Sequence, residues 1–141
     1  MLNKVVKRDP EFGLTAQLLA EVEWALGNDR EAEAALRGHL SRRPLDPIPL
    51  GELGYTLAKT GRAQEARDIL KRLEQLPSVV PQQALAFVYL GLGDQNKAID
   101  ELWKASDARS IRAPWLRVDP VYEPLRQNPR WADLLRHVNL Q

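Results

Sequence analysis

One five-position pattern recurs three times at identical internal offsets, and no other feature constrains this chain as strongly. It reads Leu19-Ala20, Gly27, Ala32 and Leu36, then Leu53-Gly54, Gly61, Ala66 and Leu70, then Leu85-Ala86, Gly93, Ala98 and Leu102. The glycines lie 34 and 32 residues apart, a period characteristic of architectures that stack one small supersecondary unit on the next. The small residue after the core leucine (Ala20, Gly54, Ala86) admits a second helix at short range, because helix axes approach closely only where side chains are small. The glycine seven positions later suits a helix end, where a left-handed residue without a Cβ closes the turn. The alanine and leucine that follow stand at i and i+4 on one face of a returning helix and point into the hairpin.

The spacing predicts helices over 14–26, 30–42, 47–59, 63–76, 81–91 and 95–107, joined by short loops as antiparallel neighbours require. Pro44 ends the first returning helix, and Pro47 and Pro49 flank the next start, where a missing N–H costs little. With 44% apolar and 28% charged residues the chain has the composition of a folded domain. The fold class is therefore all-α.

This pattern resembles the tetratricopeptide repeat family, whose units are pairs of antiparallel helices stacked into a right-handed superhelix. The resemblance covers residues 13–110 as three hairpins. It departs from the family early in the first helices, where Ala16, Leu50 and Gln82 replace an aromatic, and in the second helices, where His39 and Leu73 replace the small residue kept at Ala105. The resemblance implies a protein-interaction module that takes a peptide or helix of a partner in a concave groove. By position that groove presents Gln17, Glu21 and Trp24 from the first unit, Tyr55 and Lys59 from the second, and Gln83, Phe87 and Leu90 from the third. Where the family's carboxylate clamp uses Lys, Asn and Arg, this chain carries Gln17 and Glu21, so recognition of acidic chaperone tails is not expected. Gly51 and Gly54 suggest either a shallow dip beside Tyr55 or close helix packing, and packing is the plainer reading.

Residues 1–12 read as the last turns of a returning helix, with Pro10 standing 34 residues before Pro44. Leu2, Val5 and Val6 there need cover that a preceding repeat normally supplies. The expectation is the end of a longer protein, and the alternative is a homodimer formed through this edge. Residues 111–141 leave the period and form a helical cap. Asp119-Pro120 and Asn128-Pro129 each pair an N-capping side chain with a proline suited to the first helical position. Trp131, Leu134, Leu135 and Val138 then recur at i, i+3, i+4 and i+7 as one apolar face that closes the end of the solenoid. The string from Ala113 to Leu135 is similar to the C-terminal end of bacterial multidomain regulators, which implies a regulatory role beside an effector domain.

Other function classes find little here. Lys and Arg number 20 against 19 Asp and Glu, so no overall field draws the chain to nucleic acid or membrane headgroups. The basic groups at Lys4, Lys7 and Arg8, at Arg37, Arg42 and Arg43, and at Arg126, Arg130 and Arg136 are interleaved with acids and lack stacking aromatics. There are no cysteines, which excludes thiolate chemistry and suits a reducing compartment, the cytoplasm by default. No signal peptide or membrane span is expected. His39 and His137 have no metal-ligand spacing and read as surface or cap histidines. Glu21 and Glu23 lie on different helix faces, as do Glu31 and Glu33. No phosphate loop or nucleophile elbow occurs, so neither enzyme activity nor a cofactor is expected.

Overall fold

The computed structural model describes residues 13–76, 81–108 and 113–139. Among them every regular element is helical: α1 (Gly13–Ala25), α2 (Asp29–Leu40), α3 (Pro47–Lys59), α4 (Ala63–Glu74), α5 (Gln82–Gly91), α6 (Gln95–Asp107), α7 (Ala113–Val118), a 3-10 helix (Pro120–Leu125) and α8 (Pro129–Asn139). The expectation that placed Leu2, Val5 and Val6 on a helical edge falls outside the described residues. None of the described helices is long and apolar enough to cross a membrane.

Each of the three repeat glycines adopts a positive φ, +78° at Gly27, +87° at Gly61 and +82° at Gly93. Two hydrogen bonds then close each turn in the same way. At the first, the Gly27 N–H donates to the Trp24 carbonyl at 3.0 Å and the Asn28 N–H to the Glu23 carbonyl at 2.7 Å. Gly61 with Arg62, and Gly93 with Asp94, repeat this double closure, so orphan carbonyls at all three helix ends are satisfied. The chain therefore reverses three times with connections too short for anything but antiparallel packing, and α1–α2, α3–α4 and α5–α6 pack as pairs.

Ala32, Leu36, Ala66, Leu70, Ala98 and Leu102 are all buried, as their i, i+4 spacing requires. Two apolar clusters result. One joins the first two hairpins and the buried face of α5; the other joins α5 and α6 to Leu116, Val121, Tyr122, Leu125, Trp131, Leu134 and Val138. Trp24, Ile48 and Tyr89 pack against both.

The two junctions between successive first helices differ, and the cause is side-chain size. Between α3 and α5 the backbones nearly touch. A Cβ on Gly51 would lie 2.5 Å from the Ala84 carbonyl oxygen, one on Gly91 2.8 Å from the Tyr55 carbonyl oxygen, and one on Gly54 2.6 Å from Val88 Cγ2. Close packing is thus what Gly51 and Gly54 provide. Between α1 and α3 stand instead the rings of Trp24 and Tyr55, edge to face with centroids 4.7 Å apart. These helices touch far less.

The C-terminal segment follows its punctuation. Asp119 Oδ1 accepts from the Val121 N–H at 3.1 Å and Asn128 Oδ1 from the Arg130 N–H at 3.0 Å. Trp131, Leu134 and Val138 are buried and Leu135 packs beside them. The helix after Asp119 is a 3-10 turn rather than an α-helix, because Pro124 has no N–H and its ring would clash with the carbonyl four residues earlier. The six-residue α7 was not expected from the pattern, being too short to show a helical period. His39, read as a surface or cap histidine, is instead buried, with Nε2 2.7 Å from Asp46 Oδ2 at the start of α3. His137 does lie on the cap, stacked on Trp103 and 2.6 Å from Asp107.

Candidate functional site

The groove positions read from the repeat divide into two groups, and the chain's own C-terminal segment draws the line between them. At the third hairpin, Phe87 and Leu90 are buried beneath that segment. Tyr122 stacks on Phe87 with centroids 6.3 Å apart and planes 4° from parallel, and Trp131 lies tilted by 36° against Tyr122 at 5.8 Å. Gln83 Nε2 donates to the Tyr122 hydroxyl at 3.3 Å, so the phenol is satisfied inside the core, and burial pushes its ionisation far above the usual range. Phe87 and Leu90 therefore offer no surface to a partner in this arrangement, because internal apolar packing already covers them. Gln83 is engaged in the same contact.

At the first two hairpins the surface stays open. Because Trp24 and Tyr55 prop α1 away from α3, a pocket of about 190 Å³ remains. From α1 come Glu21, Trp24 and Ala25, from α3 Tyr55 and Lys59, and the far wall is the turn Asp119–Val121. Gln17, half-buried, lies one helical turn before Glu21 and does not line it.

Each wall has a fixed geometry. Trp24 Nε1 donates to Thr56 Oγ1 at 2.9 Å, and Thr56 Oγ1 donates in turn to the Glu52 carbonyl at 2.9 Å, which ties the indole to the α3 backbone. Lys59 Nζ sits 5.6 Å from the Tyr55 ring centroid and 3.1 Å from Asp29 Oδ1. Its charge is thereby held at the rim.

The electrostatics are one-sided. Glu21 is pushed up to about 7, first by loss of solvent and then by Asp119 across the pocket. Asp119 is raised by desolvation too, against the opposing effects of the Val121 N–H and Arg126. Behind them lies Glu52, only 1% exposed, with neither carboxyl oxygen hydrogen-bonded. Desolvation, then Glu21, Asp119 and Asp46, raise it well above the usual carboxylate range. Three carboxyl groups thus share one poorly solvated region.

Of these, Glu21 was expected on the groove, whereas Glu52 and Asp119 were not. Asp119 carried only a capping role in the sequence, and its capping bond is present. Glu52 had a legible signal: it is the only acid in Pro47–Lys59, and a helix apolar nearly all round is buried together with whatever charge it carries. Among the described residues no cluster of three or more His, Cys, Asp or Glu has the geometry to hold a metal ion. Compared with family models, with curated proteins and with solved structures, the chain has no match.

Proposed function

We propose that this chain is a protein-interaction scaffold of the tetratricopeptide type, a right-handed superhelix of three hairpins that binds a peptide or helical segment of a partner along its concave face. The observation that carries this reading is the seat of the chain's own segment Asp119–Leu125. A short, proline-punctuated stretch lies against α5, places one aromatic ring on Phe87 and accepts one hydrogen bond from Gln83, while its first residues wall a pocket on α1 and α3 without filling it. A groove that receives one such segment in cis has the apolar floor and polar rim needed to receive another in trans. The chain serves as the regulatory part of a longer cytoplasmic protein, and its partner is another protein rather than nucleic acid or membrane.

The test is selection from a displayed library of short peptides on the native chain and on a Tyr55→Ala/Lys59→Ala variant whose fold is verified by its thermal melt. Peptides retained by the native chain and lost by the variant support the groove. No enrichment, or equal retention by both, refutes it.

A second reading, self-association through the N-terminal helical edge, draws on a different surface. The edge carrying Leu2, Val5 and Val6 lies outside the described residues, and the neighbouring exposed apolar residues Leu18 and Val22 of α1 and Leu26 just after it, at 45%, 44% and 67%, favour this reading. Light scattering across a concentration series decides it: a mass that stays monomeric sinks the dimer.

A further inference from the structure

We propose that the pocket between α1, α3 and the Asp119 turn is a cation subsite that takes the guanidinium or ammonium head of an Arg or Lys side chain from the bound partner. This rests on the groove reading and gives it a chemical class of partner, a basic peptide. Two kinds of wall, which an organic cation requires together, meet here. Trp24 and Tyr55 provide aromatic surface within one small cavity, and ring faces attract a cation through their quadrupole. Glu21 and Asp119 both line the same cavity, and a planar guanidinium can donate to two carboxylates at once.

A second observation concerns the carboxyl group behind the pocket. Glu52 is buried with both carboxyl oxygens unpartnered, and after desolvation the charges of Glu21 and Asp119 do most to disfavour its ionised form. Native proteins seldom leave a buried carboxyl in that state. A cation between Glu21 and Asp119 offsets the field that all three share.

The balance holds when every facing group is included. From α1 comes Glu21, from α3 Glu52, Tyr55 and Lys59, from the start of α3 Asp46, and from the C-terminal segment Asp119 and Arg126. Lys59 is paired with Asp29, and Asp46 with His39. Arg126 donates from Nη2 to the carbonyls of Arg117 and Asp119 and pairs with Glu123. The cations nearby are thus already spent, and the pocket carboxyls remain in excess. The volume of about 190 Å³ accommodates the end of one side chain and falls below the range of drug-sized ligand pockets, about 300–1,000 Å³. A side chain delivered by a peptide fits that size.

The test follows the indole N–H resonance of Trp24, assigned with Trp24→Phe, while N-acetyl-arginine methylamide and its neutral citrulline counterpart are titrated into the full chain. Arginine should shift the resonance saturably and citrulline should not. Glu21→Gln should weaken arginine binding about tenfold, the loss of about 1.4 kcal/mol, and native affinity should rise between pH 6 and 8 as Glu21 gives up its proton. In parallel, the arginines or lysines of any library-selected peptide are replaced by citrulline or norleucine.

A tenfold or greater loss on that replacement, absent in Glu21→Gln, supports the subsite. Peptides that bind in a Tyr55-dependent way yet tolerate the replacement overturn the subsite and leave the groove standing. Arginine binding with no peptide selected overturns the partner assignment in favour of a small cationic molecule. No arginine-dependent shift and no basic peptide overturns the proposal outright.

Discussion

Glu52→Met should stabilise this protein, and by an amount that grows with pH. The substitution keeps side-chain length and approximate volume while removing two carboxyl oxygens that are buried without a partner. Leaving such a group unsatisfied costs about 1–3 kcal/mol, so removing it should raise stability by about 2 kcal/mol even where the acid is neutral. For a chain of this length that is about 8 °C in melting temperature. A second contribution appears on raising the pH. The folded-state pKa of Glu52 is displaced upward from 4.5, so above pH 4.5 the unfolded chain ionises first and the native state is progressively disfavoured. The native protein should lose up to about 1.4 kcal/mol per pH unit through this one proton until the folded pKa is passed. Urea unfolding of both proteins at pH 5 and pH 8 reads the two contributions separately. If Glu52→Met is less stable at both values, with the same pH slope as the native chain, then the buried carboxyl is compensated by a contact and the reasoning above fails.

Three further outcomes follow from named contacts. Gly51→Ala should destabilise by about 2 kcal/mol, because its Cβ meets Ala84 backbone atoms that no rotamer change can move; Gly38→Ala, in open space within α2, should stabilise by about 0.5–1 kcal/mol, and urea midpoints compare the two. Tyr122→Ala should cost about 3–5 kcal/mol and free the Asp119–Leu125 segment, which raised amide exchange there and at Phe87 would register; unchanged exchange at Phe87 would mean that the ring does not hold the cover in place. Glu33 and Glu21 should shape opposite limbs of the pH–stability curve. Glu33, lowered to about 2 by Arg62, gives stability that is complete above 4.5 and lost as the pH falls through 2. Glu21, raised to about 7, gives stability that is complete below 4.5 and lost as the pH rises through 7, and Glu21→Gln should flatten that alkaline limb.

The sequence by itself determined the local grammar of this protein. Each turn depends on a glycine and on hydrogen bonds spanning at most five residues. The buried faces of α2, α4 and α6 depend on a four-residue spacing, and the starts of the 3-10 helix and α8 depend on Asp119 and Asn128 capping N–H groups two residues on. Such rules act within one or two helical turns, so they are legible before any tertiary contact exists. Of the eight groove positions, Glu21, Trp24, Tyr55 and Lys59 line one pocket, whereas Gln83 and Phe87 are taken up by the Tyr122 contact and Leu90 is buried. What only the tertiary structure decided is which of those faces stays open. Glu21 and Asp119 stand 98 positions apart in the chain, and no periodicity says that the C-terminal segment reaches back over α5 to the α1–α3 pocket. Packing decided it, because Tyr122 buries its ring in contact with both Phe87 and Trp131, and the same fold-back places Asp119 at the pocket that Glu21 lines. The difference between the α1–α3 and α3–α5 junctions is of the same kind. Glycine lets two backbones meet only if the partner surface is also flat, as Ala84 makes it, whereas Trp24 and Tyr55 hold their helices apart and leave a pocket between them.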